Sequence, residues 1–269
     1  MVGIEGCPGD VCLFCFAHPD DEFFCCATLK RLVEHGCEVF CAWGVATPQR
    51  EEESRAVMAL LGVPSLRLRF AYFPDGGVVD TLSEYGMFWE HILKDIRPER
   101  VFVPAFECGH LDHDATNFAV VHAVQRLRVC PLLIEFPLYH PYSSRVPTVG
   151  RFANEGEEMT VELTPGEQAL KKKVLSYYRS QRLPWLLKMY GLLVKMGLKP
   201  SGLWESERFR PLRHPRYDSP PLPASLARGV ERSPKWQRFA QAVSALCSSS
   251  PLGDDDPIHP IQEDEPGIG

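Results

Sequence analysis

The chain has 269 residues, 45% hydrophobic and 24% charged, with ten cysteines and a formal net charge of −6. Six of the negative charges lie in the last sixteen residues (Asp254, Asp255, Asp256, Glu263, Asp264 and Glu265), so the rest of the chain is nearly neutral and lacks the basic surplus of a nucleic-acid binder. The length suits one large α/β domain or two small ones and is too great to need a disulfide framework, so the cysteines are expected to be reduced core residues.

"VCLFCFA" (11–17) is a continuous apolar run and is predicted to be a buried strand. A helix is expected from about Glu22 to His35, stopped by Gly36. "CEVFCAWGVA" is a second strand and "QREEESRAVMALLG" a second helix, ended by Gly62 and Pro64. "LRLRFAYF" (66–73) alternates like a half-exposed strand, and "PDGG" turns the chain. There follow a helix ("LSEYGMFWEHILKDI"), a strand ("RVFVPAF"), a helix ("HDATNFAVVHAVQRL") and a strand ("LLIEFPLY"). Alternating strands and helices predict an α/β fold, a Rossmann-like layered arrangement on a mostly parallel sheet. After about Pro141 the pattern loosens. Residues 163–181 read as one helix with Thr164 as N-cap and Pro165 in its first turn. Residues 183–197 read as a second, strongly apolar helix, "YDSPPLP" as a linker, and "SPKWQRFAQAVSAL" as a terminal helix. The domain is expected to span 1–248, with its core at about 11–140 and a helical and extended part at 141–248. Residues 249–269 form an acidic, proline-containing tail expected to be disordered. The N-terminus lacks the basic region and apolar core of a signal peptide, and no apolar run is long enough to span a bilayer. A cytoplasmic location is expected from this.

Two clusters of ionisable residues interrupt this pattern at equivalent places. His18, Asp20, Asp21 and Glu22 follow the first strand. His110, Asp112, His113 and Asp114 follow the strand at 100–106. In a parallel sheet, strands that precede helices leave from the same edge, so the two clusters are expected to meet. Two imidazoles and a carboxylate in an open arrangement suit Zn2+, and nonhaem Fe2+ takes the same donors. A second carboxylate could take a proton from a bound water, and a further His could stabilise an oxyanion. Asp114 is also well placed to cap the following helix, and Glu22 to orient its neighbours.

"AHPDDE" (17–22) together with "GHLDH" (109–113) resembles the zinc-dependent de-N-acetylases of the LmbE-like superfamily, relatives of N-acetylglucosaminyl-phosphatidylinositol de-N-acetylase. "REEESRAVMALLGV", "FPDG", "LSYYRSQ" and "ERFRPL" are similar to later segments of that family, so the likeness runs from about Val11 to Leu212. The resemblance implies that His18, Asp21 and His113 bind the metal and that Asp20 is the general base. It implies that His110 stabilises the oxyanion or protonates the amine, with Asp112 orienting that histidine, and that Arg50 and Asp75 contact sugar hydroxyls. Some relatives carry a Tyr where this chain has Cys108, a poor hydrogen-bond donor. Tyr139 is a candidate substitute, and His140 is expected to line the pocket.

The reaction implied is hydrolysis of the acetamide of an N-acetylated amino-sugar conjugate. The alternatives are an amidase that removes a larger acyl or aminoacyl group, and a metal-dependent sugar-binding module without turnover. The intact Asp20 and His110 argue against the last. Residues 183–198 carry more apolar side chains than a surface helix needs. They are expected to pack on the sheet or form a homo-oligomer contact, with a lid or peripheral membrane contact as the alternative.

Overall fold

The structure, a computed structural model, describes residues 4–142, 147–213 and 216–249; the acidic tail expected to be disordered lies outside the described residues apart from its first. Strand β1 (Val11–Phe16) alternates its side chains between two cores. Cys12, Phe14 and Phe16 enter one, Leu13 and Cys15 the other, so the two cysteines of "CLFC" point apart. β1 lies between β2 (Glu38–Trp43) and β4 (Arg100–Pro104), parallel to both. β3 (Leu68–Phe70) continues beyond β2, and β5 (Leu132–Phe136) beyond β4, again in parallel. The chain thus builds outward from β1 in one direction, then restarts on its other side. That reversal opens a crevice at the carboxyl ends of β1 and β4, where ligands of open α/β sheets bind.

Helices α1 (Cys26–Glu34) and α2 (Pro48–Leu61) cover one face of the sheet, together with α5 (Pro165–Leu175) and α6 (Leu183–Lys195). On the other face lie α3 (Leu82–Ile96), α4 (Leu111–Leu127) and α8 (Pro234–Ser249). The α/β expectation is met. Residues 112–124 of α4 are all buried, because this helix is sandwiched between the sheet, α3 and α8. The ten cysteines are free thiols. No helix among the described residues is long and apolar enough to cross a membrane.

Four local expectations need correction. The first crossover starts with a single 3-10 turn (Asp21–Phe24) before α1 begins at Cys26. The strand expected over 66–73 shrinks to three residues, being an outer strand that pairs only with β2 along its length. The helix expected over 163–181 ends at Leu175, where Ser176 Oγ bonds back to the Lys173 carbonyl, 2.7 Å away, and the chain turns to send Tyr178 inward. Thr164 and Glu167 do form the capping box at its start. The region beyond β5 also holds strands the pattern did not reveal: a small hairpin of β6 (Tyr139–His140) and β7 (Thr148–Val149), then β8 (Met159–Glu162) and β9 (Ser206–Pro211). β9 adds antiparallel to β5 and carries β8 on its far side, completing a seven-stranded sheet. A short helix, α7 (Ala224–Glu231), follows the proline-rich linker.

β9 also supplies Glu207, which caps α1 from a distance. α1 has no capping side chain of its own. Instead Glu207 accepts the backbone N–H groups of Ala27 (3.0 Å) and Thr28 (2.8 Å), and pairs with the buried ammonium of Lys171 at 3.5 Å. Glu207→Ala, which strands Lys171, is expected to cost about 3–5 kcal/mol in urea unfolding. The paired change Lys171→Met with Glu207→Leu is expected to lose only the cap, about 1 kcal/mol.

Candidate metal centre

The first loop is held by its own carboxylates. Asp21 Oδ2 accepts the backbone N–H of Ala17 (3.0 Å) and of His18 (2.9 Å), bending the chain back over the end of β1. Asp20 between them has a left-handed backbone, φ 109°, which costs free energy for a residue with a side chain. Glu22 pins it there. The fully buried Glu22 carboxylate accepts the Asp20 N–H (2.9 Å), Trp43 Nε1–H (3.3 Å), Ser54 Oγ–H (2.6 Å) and the Tyr178 hydroxyl. Glu22 therefore orients its neighbours, as expected from its position.

The second loop, 106–110, is clamped from both sides. Asp114 Oδ1 accepts the N–H groups of Glu107 (3.1 Å) and Cys108 (2.9 Å). The Tyr142 hydroxyl reaches the carbonyls of the same two residues at 2.8 and 2.6 Å. Asp114 is thus inside α4 and binds the loop, whereas the helix N-cap is His110, whose Nδ1 accepts the Asp112 N–H at 3.2 Å. Gly109 is required by space: a Cβ there would meet the Tyr139 carbonyl oxygen at 2.6 Å. Cys108 packs against the second core. Sequence reasoning did not pick out Tyr142 or Glu107. Glu107 adjoins the second motif, but Tyr142 lies 29 residues beyond it, and both bond backbone atoms, which leave no trace in the sequence.

The two loops meet. His18 Nδ1 and His113 Nε2 are 3.3 Å apart, and Asp21 Oδ1 is 3.3 Å from His113 Nε2. Ligand atoms of His18, His110 and His113 all lie within 4.8 Å of one another, as do those of His18, Asp75, His110 and Asp112. Two donor atoms bound tetrahedrally at the usual zinc distances stand about 3.3 Å apart. One proton between these atoms can serve only one pair at a time; a cation serves all of them. Asp112 Oδ1 is also buried without a hydrogen-bond partner. The donor set therefore fits a divalent ion.

His110 and Asp21 compete for the place of third ligand. His110 Nδ1 already accepts a backbone N–H, so in the neutral ring Nε2 carries the proton and donates rather than binds. Asp112 stands behind His18: its Oδ2 is 3.0 Å from His18 Nε2 and accepts the Gly76 N–H at 2.7 Å. A carboxylate behind a metal-facing imidazole fixes its tautomer. Asp112 hydrogen-bonds His110 through its backbone N–H, while its carboxylate hydrogen-bonds the His18 ring and lies within 4.8 Å of a His110 ring nitrogen.

The electrostatics follow from this crowding. Burial lowers His18, but its hydrogen bonds to Asp112 and Asp75 and the charge of Asp21 outweigh burial and push it up to about 10. Burial, with His113 and His18 nearby, lowers His110 to about 3, so it is neutral. Burial and the neighbouring Asp21 charge raise Asp20 well above the carboxylate range.

At the rim, Arg50 Nη1 donates to Asp75 Oδ2 at 3.2 Å, and Asp75 Oδ1 lies 3.5 Å from His18 Nε2. The hydrogen bond to His18 holds the Asp75 carboxyl below its usual range. The Tyr139 ring lies 5.3 Å from that of His113, and burial followed by the charges of Asp21 and Asp20 keeps its hydroxyl protonated. His140 is the next residue on the same strand and so faces the other way. It stacks on Tyr142, 5.3 Å between centroids, and is not brought into the cluster.

A family model described as PIG-L, GlcNAc-PI de-N-acetylase, matches residues 13–124, the stretch that contains both loops, and bears out the resemblance read from the motifs. No curated protein matches the sequence. Among solved structures, the zinc-inhibited form of teicoplanin deacetylase Orf2 is similar at 18% identity and TM-score 0.56, covering 75% of this chain and 97% of the other. The conserved protein TT1542 from Thermus thermophilus is similar at 25% identity and TM-score 0.55, over 76% and 96%. GalB, a 4-carboxy-2-hydroxymuconate hydratase from Pseudomonas putida, is similar at 13% identity and TM-score 0.51, over 77% and 97%. At these identities Orf2 and GalB share the fold alone.

His18→Ala and His113→Ala are each expected to abolish retention of a divalent ion, measured by metal analysis after dialysis, because both histidines belong to either version of the ligand set.

Proposed function

We propose, from the match of a PIG-L family model to residues 13–124, that this chain is a metal-dependent de-N-acetylase. It hydrolyses the acetamide of an N-acetylglucosamine-type sugar conjugate, releasing acetate and a free amino sugar. The observation that carries this reading is the 3.3 Å approach of His18 Nδ1 and His113 Nε2 beside Asp21, with a second carboxylate, Asp20, in a strained backbone next to it.

His18, Asp21 and His113 hold the ion. Zinc is the metal this donor set fits first, and Fe2+ accepts the same donors. When bound, the ion supplies a water of lowered pKa and polarises the acetamide carbonyl. Asp20 accepts the proton of the attacking water. It is suited to that role because burial and the Asp21 charge raise its carboxyl above the ordinary carboxylate range and it makes no hydrogen bond among the described residues. Neutral His110 would donate a hydrogen bond through Nε2–H to the carbonyl oxygen as it gains charge, keeping that proton. The proton that Asp20 takes from the water would pass to the departing nitrogen, so water and amide become acetic acid and amine, with Asp20 and His110 both restored before the products ionise. Tyr139, a protonated hydroxyl beside His113, is a second oxyanion donor in the place that Cys108 does not fill. Asp112 and Asp75 keep the His18 ring in the tautomer that turns Nδ1 to the ion. Arg50 and Asp75 lie at the entrance, where they pair with each other until sugar hydroxyls replace that bond.

The test is acetate release from a panel of N-acetylglucosamine conjugates by protein loaded with Zn2+ or Fe2+. Asp20→Asn is expected to keep its metal and lower kcat by about 10²–10⁴-fold; wild-type turnover in this variant would refute the base assignment. His110→Ala is expected to keep its metal as well, whereas loss of the ion would make His110 the third ligand in place of Asp21.

A further inference from the structure

Helix α6 is apolar on two opposite sides. Leu183, Leu187 and Tyr190 point inward and are buried in the first core. Trp185, Met189, Leu192 and Met196 point outward and are 67, 37, 52 and 62% exposed. At about 100° per residue these four fall within an arc of about 60°. Leu198 extends the stripe just past the helix end, 63% exposed. The inward side accounts for the packing of this helix. The outward side needs an apolar partner of its own.

Charge selects the partner. No Asp or Glu occurs between Glu167 and Glu205, in a chain whose net charge is −6. Arg179, Arg182, Lys188 and Lys195 are all exposed within that stretch. Lys188 and Lys195, seven residues apart, run along one flank of the apolar stripe. An apolar face with Trp at one end, bordered by lysines, matches a helix lying in the interface of an anionic bilayer. A second copy of the same face fits less well, because an isologous contact repeats the same cationic patch on both sides.

The helix also follows a turn that is tied to α2, the helix that carries Arg50. Just before it, Ser180 bonds Glu53 through its N–H (2.9 Å) and its hydroxyl (2.6 Å). Glu53 lies one turn after Arg50 on α2, and Arg50 reaches Asp75 beside His18. The first core, which takes the inward side of α6, also contains Leu138, next to Tyr139.

We propose that the outward face of α6 docks on an anionic lipid bilayer, holding the entrance of the site at the headgroup layer. Docking is read without turnover, so it stands or falls separately from the hydrolytic function. The full chain is sedimented with vesicles of phosphatidylcholine, alone or mixed with phosphatidylserine. Binding is expected to the mixed vesicles, weakened by salt, with a blue shift of tryptophan emission that Trp185→Phe removes. Lys188→Gln with Lys195→Gln is expected to weaken binding about thirtyfold. Leu192→Ser is also expected to weaken it, with an unchanged circular dichroism spectrum because the position is exposed. Failure to bind either vesicle, or binding undiminished in the double lysine variant, overturns the proposal. A concentration-dependent dimer that Leu192→Ser dissociates, without vesicle binding, assigns the face to a second copy instead.

Discussion

The geometry of the site depends on one buried carboxylate that is not itself a ligand. Glu22 is removed from water and has no cationic partner among the described residues; four donors stand in for one. Those donors come from the loop after β1, from β2, from α2 and from the turn after α5. Burial raises the Glu22 carboxyl, and the Ser54 and Tyr178 hydrogen bonds oppose that rise. A buried polar group left without partners is expensive, so the four elements are held at fixed distances from it. Because its fourth donor is the Asp20 N–H, Glu22 also holds the one strained residue of this loop in place. Preorganisation at the centre is thus stored one layer further out.

The centre itself is crowded with like charges. Asp20, Asp21, Asp75 and Asp112 surround three imidazoles, and the protein alone balances them by holding protons on His18 and near Asp20. A cation would relieve the same crowding without occupying a proton site, so the donor set that suits an ion and the raised Asp20 carboxyl have a common electrostatic origin. The likeness to GalB, a hydratase, places a different reaction on the same layered sheet. Fold fixes where the crevice lies; the side chains at the ends of β1 and β4 decide what happens there.

The parallel half of the sheet was legible because its signal is local. Apolar runs alternate with amphipathic ones, and polar clusters sit at the same end of each unit. The meeting of His18 with His113 could be foreseen from that periodicity alone. β8 and β9 were not legible. They are short, carry alternating charged residues, and pair with each other across some 45 residues of chain, so no window of sequence contains both partners. The surroundings of Asp112 and His140 could not be read in advance for a related reason. The resemblance names residues but not which ring a carboxylate faces, and the direction of His140 depends on the hairpin β6–β7, invisible before the strands were seen. Asp114 looked like a cap because helix starts favour Asp; the true start lies earlier, at His110.

The distant cap on α1 has a consequence for biogenesis. The N-terminus of α1 belongs to the first crossover of the chain, yet its free N–H groups at Ala27 and Thr28 wait for a carboxylate about 180 residues later. A nascent chain emerging from the ribosome can assemble β1 to β5 in order, but cannot finish its first helix until β9 has left the exit tunnel and slotted beside β5. The protein is therefore completed from its end backwards, and a product of premature termination before β9 would keep both metal-site motifs while lacking the strand that secures the helix beside them.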